Sequence, residues 1–197
     1  SVVGNCPNKQ LGWVSKENKK QGVGGDLIQW RKINYSSPRG SALWIDKSSA
    51  TCGDSVKVFA SKYNASRFDK SKRSIAVIRL GWYNGSGGHQ YWSTNKFLLK
   101  EQSAPVVTGL LRTVETKWTA TTTFTIGKDW TPGLYLVVTK NRKNNIEAIA
   151  PLIIRSKLHD SPLAIMHSTL TWQAYNNFGG YSLYRGVGES NAERVNN

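Results

Sequence analysis

The sequence predicts a mainly β protein: a β-sandwich over about residues 41–155, then the first strand and loop of an α/β unit. Three observations predict it. Short β-branched or aromatic runs recur between turn residues from Ser41 onward. No helix of normal length fits between them, because the intervening polar segments are short or carry Gly and Pro. Finally, Leu163-Ala-Ile-Met-His-Ser-Thr-Leu170, which follows Pro162, opens as a nearly continuous apolar stretch. Such a stretch suits a strand buried on both faces, as in a parallel sheet covered by helices.

Residues 1–40 are rich in Gly, Lys, Asn and Ser and keep no period of two or 3.6. They read as an irregular N-terminal arm with one short strand at Leu27–Trp30. From residue 41 the runs SALWID, SVKVFASKY, SIAVIRLGWY, TATTTFTI, GLYLVVTK and IEAIAPLII are of strand length. Val56, Val58 and Ala60 alternate with polar neighbours, whereas the run from Ile75 to Leu80 is largely apolar on both faces. The turns agree: Cys52-Gly-Asp54 and Asp129-Trp-Thr-Pro-Gly133 place Pro and Gly where tight connections need them, and residues 139–145 make a polar hairpin tip. Short strands with one shared core predict an Ig-like sandwich over 41–155. Residues 156–197 then read as a linker and the start of an α/β catalytic-type domain that is truncated here or continues in another chain.

A chain of 197 residues with 39% hydrophobic content and eight Trp can bury a core, and its formal net charge of +15 makes it folded and basic. No apolar run is long enough for a spanning helix, and the first residues lack the plan of a signal peptide. The two cysteines, Cys6 and Cys52, have neither a CxxC partner nor zinc-finger histidines. One disulfide between them is the simpler expectation, stabilising by about 4 kcal/mol in the chain-entropy model. That bond, and sequons at Asn34, Asn64 and Asn84, predict a secreted protein.

Beyond the three lysines of Lys16–Lys20, positive charge concentrates in two further segments. Lys62, Arg67, Lys70, Lys72 and Arg73 occupy one, and Lys140, Arg142 and Lys143 the other. With strands alternating up and down, both fall at one end of the sandwich, opposite the turns at 82–88 and 130–133. Such a patch attracts polyanions by counterion release, an anionic glycan or membrane surface among them; a solvated charged face is the plainer reading. No base-reading motif is present, which argues against specific nucleic-acid recognition. His89, His159 and His167 form no set with a nucleophile, and Trp82 and Trp92 read as core or interdomain packing.

Three stretches appear in a telling order: Arg79-Leu-Gly-Trp-Tyr-Asn-Gly-Ser-Gly-Gly88, Asp129-Trp-Thr-Pro-Gly-Leu-Tyr135, and Thr171-Trp-Gln-Ala-Tyr-Asn-Asn-Phe-Gly-Gly-Tyr-Ser-Leu-Tyr184. They resemble the N,N-dimethylformamidase large (beta) subunit-like family, in its N-terminal part, over about residues 41–190. The last stretch is the specific one. The resemblance implies an Ig-like sandwich followed by a glutamine amidotransferase-like α/β domain. It also implies hydrolysis of a C–N amide bond with iron held by two tyrosines and a glutamate. At the matching positions the tyrosines are Tyr175 and Tyr184. The glutamate is expected beyond Asn197, in a second polypeptide that completes the α/β domain, so oligomerisation is open and this fragment alone is expected to be inactive.

The chemistry suits those residue types. A phenol of pKa about 10 becomes a ligand only beside a hard, highly charged cation, as an oxygen-only ferric site provides. Asn176 and Asn177 are candidates to orient a substrate carbonyl, with loop-holding hydrogen bonds as the plainer role. Gly179-Gly180 reads as a backbone turn. The alternative is a basic binding or toxin-like module that holds an anionic glycan or cell surface without catalysis.

Overall fold

The computed structural model describes residues 12–23, 40–66, 68–110, 113–156, 166–176, 178–180 and 182–183. The chain is mainly β. Its strands are β1 (Gly40–Ile45), β2 (Ser49–Ala50), β3 (Ser55–Tyr63), β4 (Lys72–Leu80), β5 (Gly88–Ser93), β6 (Phe97–Leu98), β7 (Val106–Thr108), β8 (Thr113–Glu115), β9 (Thr122–Thr125), β10 (Gly133–Lys140) and β11 (Ile146–Ile154). Two short helices, α1 (Trp13–Asn18) and α2 (Thr169–Tyr175), flank them.

β1, β3 and β9 form one sheet; β2, β11, β10, β4 and β5 form a second, in which β6 also pairs with β4; β7 and β8 make a separate hairpin. Strand pairing is antiparallel except between β2 and β11. The first two sheets share one core. Val56, Val58 and Phe124 from one and Ile75, Val77, Val137 and Leu152 from the other belong to a single buried cluster. Each fully buried aliphatic side chain of this kind contributes about 1.5–3 kcal/mol.

β4 and β10 are apolar on both faces because both faces are buried. Ala76, Ile78, Leu136 and Val138 form a second cluster that Val23, ahead of the strands, packs against. The hairpin tip between β10 and β11 closes through Asn141, whose Oδ1 accepts from the amides of Lys143 and Asn145 at 2.9 and 3.0 Å. In the turn after β2, Thr51 N–H donates to Asp54 Oδ2 at 2.7 Å, and Gly53 supplies a φ of 88°.

Two expectations change. The arm is not irregular throughout, since residues 13–18 are helical; the expected strand at Leu27–Trp30 lies outside the described residues. The expected buried strand at 163–170 is absent over its described part: Met166 is 91% and Leu170 85% exposed, and Thr169 already begins α2. A short apolar run carries no periodicity that separates strand from helix, which is why the run misleads. Trp82 is exposed, and Trp92 lies 5.3 Å from Phe124. Cys52 is buried, and no free cysteine occurs among the described residues; Cys6 lies outside them.

Candidate functional site

A groove of about 650 Å³ runs between β1 and β11 on one side and α2 on the other. That volume lies within the range of small-molecule sites. The sheet side is apolar, with Trp44, Ala148 and Pro151, and the helix side carries Trp172, Tyr175 and Asn176. Trp44 is held flat against Phe59, ring centroids 3.8 Å apart and planes within 2°.

The turn after α2 is pinned to the strands. Phe178 packs 4.9 Å from Tyr63 and 5.8 Å from Trp118. Gly179 follows with φ 81°, and a Cβ there would stand 2.5 Å from Val114 Cγ1, so only glycine fits. Asn176 Oδ1 accepts the Phe178 amide at 3.1 Å, which holds the turn. The chain then returns, and the Leu183 amide donates to the Ala174 carbonyl at 3.1 Å.

Of the residues singled out in the sequence, Tyr175 stands on the rim of this groove, 68% exposed, and Asn176 lies beside it. Tyr184 and Asn177 lie outside the described residues. Among the described residues no three or more His, Cys, Asp or Glu gather to hold a metal. The one carboxylate lining the groove, Glu147, is already bound to Arg73. His167 lies 5.7 Å from Trp172, and its Nδ1 is buried without a hydrogen-bond partner among the described residues.

A second constellation was not anticipated. Glu17 on α1 is only 4% exposed, although it belongs to a Lys-rich segment. It accepts from Tyr83 Oη, from Tyr91 Oη at 2.7 Å and from Thr131 Oγ1 at 2.7 Å, and it pairs with Lys20 Nζ at 2.8 Å. Arg79 donates to Tyr83 Oη at 3.0 Å and to the Pro132 carbonyl at 3.0 Å. Burial pushes the Glu17 carboxyl up, but Lys20, Tyr83, Tyr91 and Thr131 outweigh it and hold it at about 2. Tyr83 is raised well above an ordinary phenol by burial first and by the Glu17 carboxylate second; burial raises Tyr135 as well. A six-residue helix with one buried side chain shows no periodicity, so a lone acid among lysines was the only sequence signal.

The two basic segments do meet at one end of the strands, because Lys140 pairs with Ser74 in the β10–β4 register. A cavity of about 740 Å³ there is lined by Asp69, Ser71, Arg73, Asn141, Arg142 and Lys143 together with Glu147. Arg73 is 2% exposed and ion-paired with Glu147 at 2.7 Å and Asp69 at 2.6 Å. Hydrogen bonds from Arg73 and Ser71 hold the Asp69 carboxyl far below the usual range. Lys140 Nζ donates to Gln90 Oε1 at 3.1 Å. Lys70, Lys72, Arg142 and Lys143 are exposed, Lys62 is half-buried, and Arg67 lies outside the described residues.

Residues 74–197, more than half of the chain, match a protein family described as N,N-dimethylformamidase beta subunit-like, C-terminal. No curated protein matches the chain. Among solved structures, a chain of a type I cohesin–dockerin complex from Clostridium thermocellum is 17% identical, covering 59% of this chain and 100% of that one. Its TM-score of 0.25 carries no structural argument.

Proposed function

Because this chain belongs to the N,N-dimethylformamidase beta subunit-like family, we propose that it forms part of an amidohydrolase that cleaves a C–N amide bond in the groove beside α2. One observation carries the location. The residue before Tyr175 and the residue before Tyr184 are hydrogen-bonded to each other, Leu183 N–H to Ala174 O, and Tyr175 itself lines the groove.

In this reading Tyr175 and Tyr184 hold iron, with a third, carboxylate ligand from a second polypeptide that completes an α/β domain. The donor chemistry fits at Tyr175, a phenol on a residue that is 68% exposed; the described residues do not by themselves make a complete centre. Bound iron would supply a Lewis acid for an amide carbonyl or acidify a bound water. The Nδ2 amide of Asn176 orients the substrate carbonyl, and the walls formed by Trp44 and Trp172 exclude water from it. The strands are an Ig-like scaffold, Cys6 and Cys52 form a disulfide, and the protein is secreted.

Metal analysis of the co-purified, full-length assembly tests this. Stoichiometric iron with a tyrosinate-to-iron visible band is expected, together with release of dimethylamine from N,N-dimethylformamide, and Tyr175→Phe should abolish the band. An iron-free assembly that still hydrolyses the amide would sink the metal assignment; one with iron and no amidase activity would sink the reaction.

A second reading is favoured by the basic end alone, where Arg142 and Lys143 join the 69–73 segment around one cavity. There the chain would hold an anionic glycan or cell surface without catalysis. Retention on heparin with a steep salt slope, lost in Arg142→Ala/Lys143→Ala, is expected of it; salt-independent behaviour would dismiss it.

A further inference from the structure

Three of the groups that hold Glu17 lie outside the helix that carries it, while the fourth, Lys20, follows that helix and also donates to Tyr91 Oη at 2.7 Å. α1 has six residues, no side-chain cap at its Gly12 N-terminus, and Glu17 as its only buried residue. A helix so short is marginal alone, so α1 is placed by a carboxylate rather than by apolar packing. The three hydroxyl donors belong to the sheet and its connections. Tyr91 lies in β5, Tyr83 follows β4, and Thr131 precedes β10.

Those positions are fixed from behind. The β4 register sets Arg79 opposite both His89 and Tyr135. Arg79 then holds Tyr83 Oη and the Pro132 carbonyl, both at 3.0 Å. Tyr91 is walled by Trp130 and Tyr135 at 5.2 and 5.4 Å, and Tyr135 Oη holds the Thr131 carbonyl at 2.5 Å. Three hydroxyl donors backed by a guanidinium therefore converge on one point, which is the inventory for binding an anion with two acceptor oxygens.

We propose that Tyr83, Tyr91 and Thr131 form a carboxylate-binding socket, that Glu17 occupies it as a tethered ligand, and that the socket accepts a carboxylate from another source when Glu17 is withdrawn. The ligand class is a small carboxylate or the acidic side chain of a peptide. The site is separate from the groove and does not rest on the amidase reading.

The test uses the full chain carrying Glu17→Ala, with thermal unfolding in sodium acetate against sodium chloride at equal ionic strength. Acetate should raise the melting temperature saturably where chloride does not, and the wild type should show no acetate-specific rise. Adding Tyr91→Phe should weaken the acetate effect roughly tenfold, the loss of one hydrogen bond to a charged group. A synthetic peptide of residues 13–18 and its Glu-to-Gln counterpart separate the two sources: stabilisation by the acidic peptide alone identifies a peptide carboxylate as ligand, and by acetate alone a small anion. Equal responses of Glu17→Ala to acetate and chloride, with no response to the acidic peptide, overturn the proposal, as does an acetate effect that Tyr91→Phe leaves undiminished. Should the variant fail to fold in chloride, refolding yield is the readout: recovery in acetate supports the socket, and none overturns it.

Discussion

Replacing Gly179 by alanine tests how the groove is built. Two costs can be separated. At φ 81° an alanine sits in the left-handed region, which costs about 1–2 kcal/mol. Its Cβ also stands 2.5 Å from Val114 Cγ1 and 3.3 Å from Cγ2, and overpacking against a short, branched side chain costs about 1–3 kcal/mol more. Gly179→Ala should therefore weaken the docking of the turn by about 2–5 kcal/mol, the sum of those two terms. Gly85 is the internal control: its φ is 82°, but the nearest atom to a Cβ there is Trp82 Cη2 at 3.9 Å, so Gly85→Ala should show the backbone cost alone. Val114→Ala combined with Gly179→Ala should restore the overlap component and leave the backbone cost. Amide exchange at Phe178 and Leu183, whose amides bond Asn176 Oδ1 and the Ala174 carbonyl, reads the local equilibrium, and denaturant unfolding reads the global one. Equal effects of Gly179→Ala and Gly85→Ala, or no recovery with Val114→Ala, would refute the close approach of this turn to the β7–β8 hairpin.

Arg73→Met should destabilise the chain by about 3–5 kcal/mol in denaturant unfolding, because it leaves Glu147 and Asp69 without the partner that neutralises them; a loss under about 1 kcal/mol would show the pairs to be surface-like. The same substitution should leave heparin retention unchanged while Arg142→Ala/Lys143→Ala alters it, since Arg73 is buried and those two are exposed. On acidification, Glu17, held at about 2 against an ordinary 4.5, contributes stability that is complete above about pH 5 and is lost as pH falls towards 2; Glu17→Gln should flatten that part of the stability–pH curve, and an unchanged curve would rule out the carboxylate as its source. Asn176→Ala should raise exchange at the Phe178 amide, whereas Asn176→Asp, which keeps the accepting oxygen, should not.

What was legible in the sequence follows from how much side-chain pattern each element carries. β3 announces itself because Val56, Val58 and Ala60 alternate with residues facing outward. β4 and β10 were legible as strands, and their two apolar faces have a physical cause in the two clusters they separate. The tip at 141–145 follows from Asn141, which can close a turn with its own side chain. α2 was not legible, because Met166 and Leu170 are exposed and so break the link between apolar and buried on which pattern reading depends. Nor was the ion pairing of Arg73, which looked like one more cation in a basic run. Its partner Glu147 lies 74 residues away and meets it only through the sheet register.

The three quoted stretches divide their work, and the division explains why they differ as signals. Tyr83 and Asn84 from the first lie at φ 41° and 54°, a conformation that costs on the order of 1–3 kcal/mol per residue. The hydroxyl of Tyr83 is what that strain places between Glu17 and Arg79. Trp130, Thr131 and Tyr135 from the second complete the same end of the sheet. Both stretches are thus spent on a rigid frame around one carboxylate, and any frame with that geometry would select similar residues whatever the protein did. The third stretch is different. Phe178 and Gly179 are fixed by contact with the strands, yet Tyr175 beside them is left on the rim of a groove. A phenol lining a groove beside a pinned turn is what makes that stretch the one from which a chemical function can be argued.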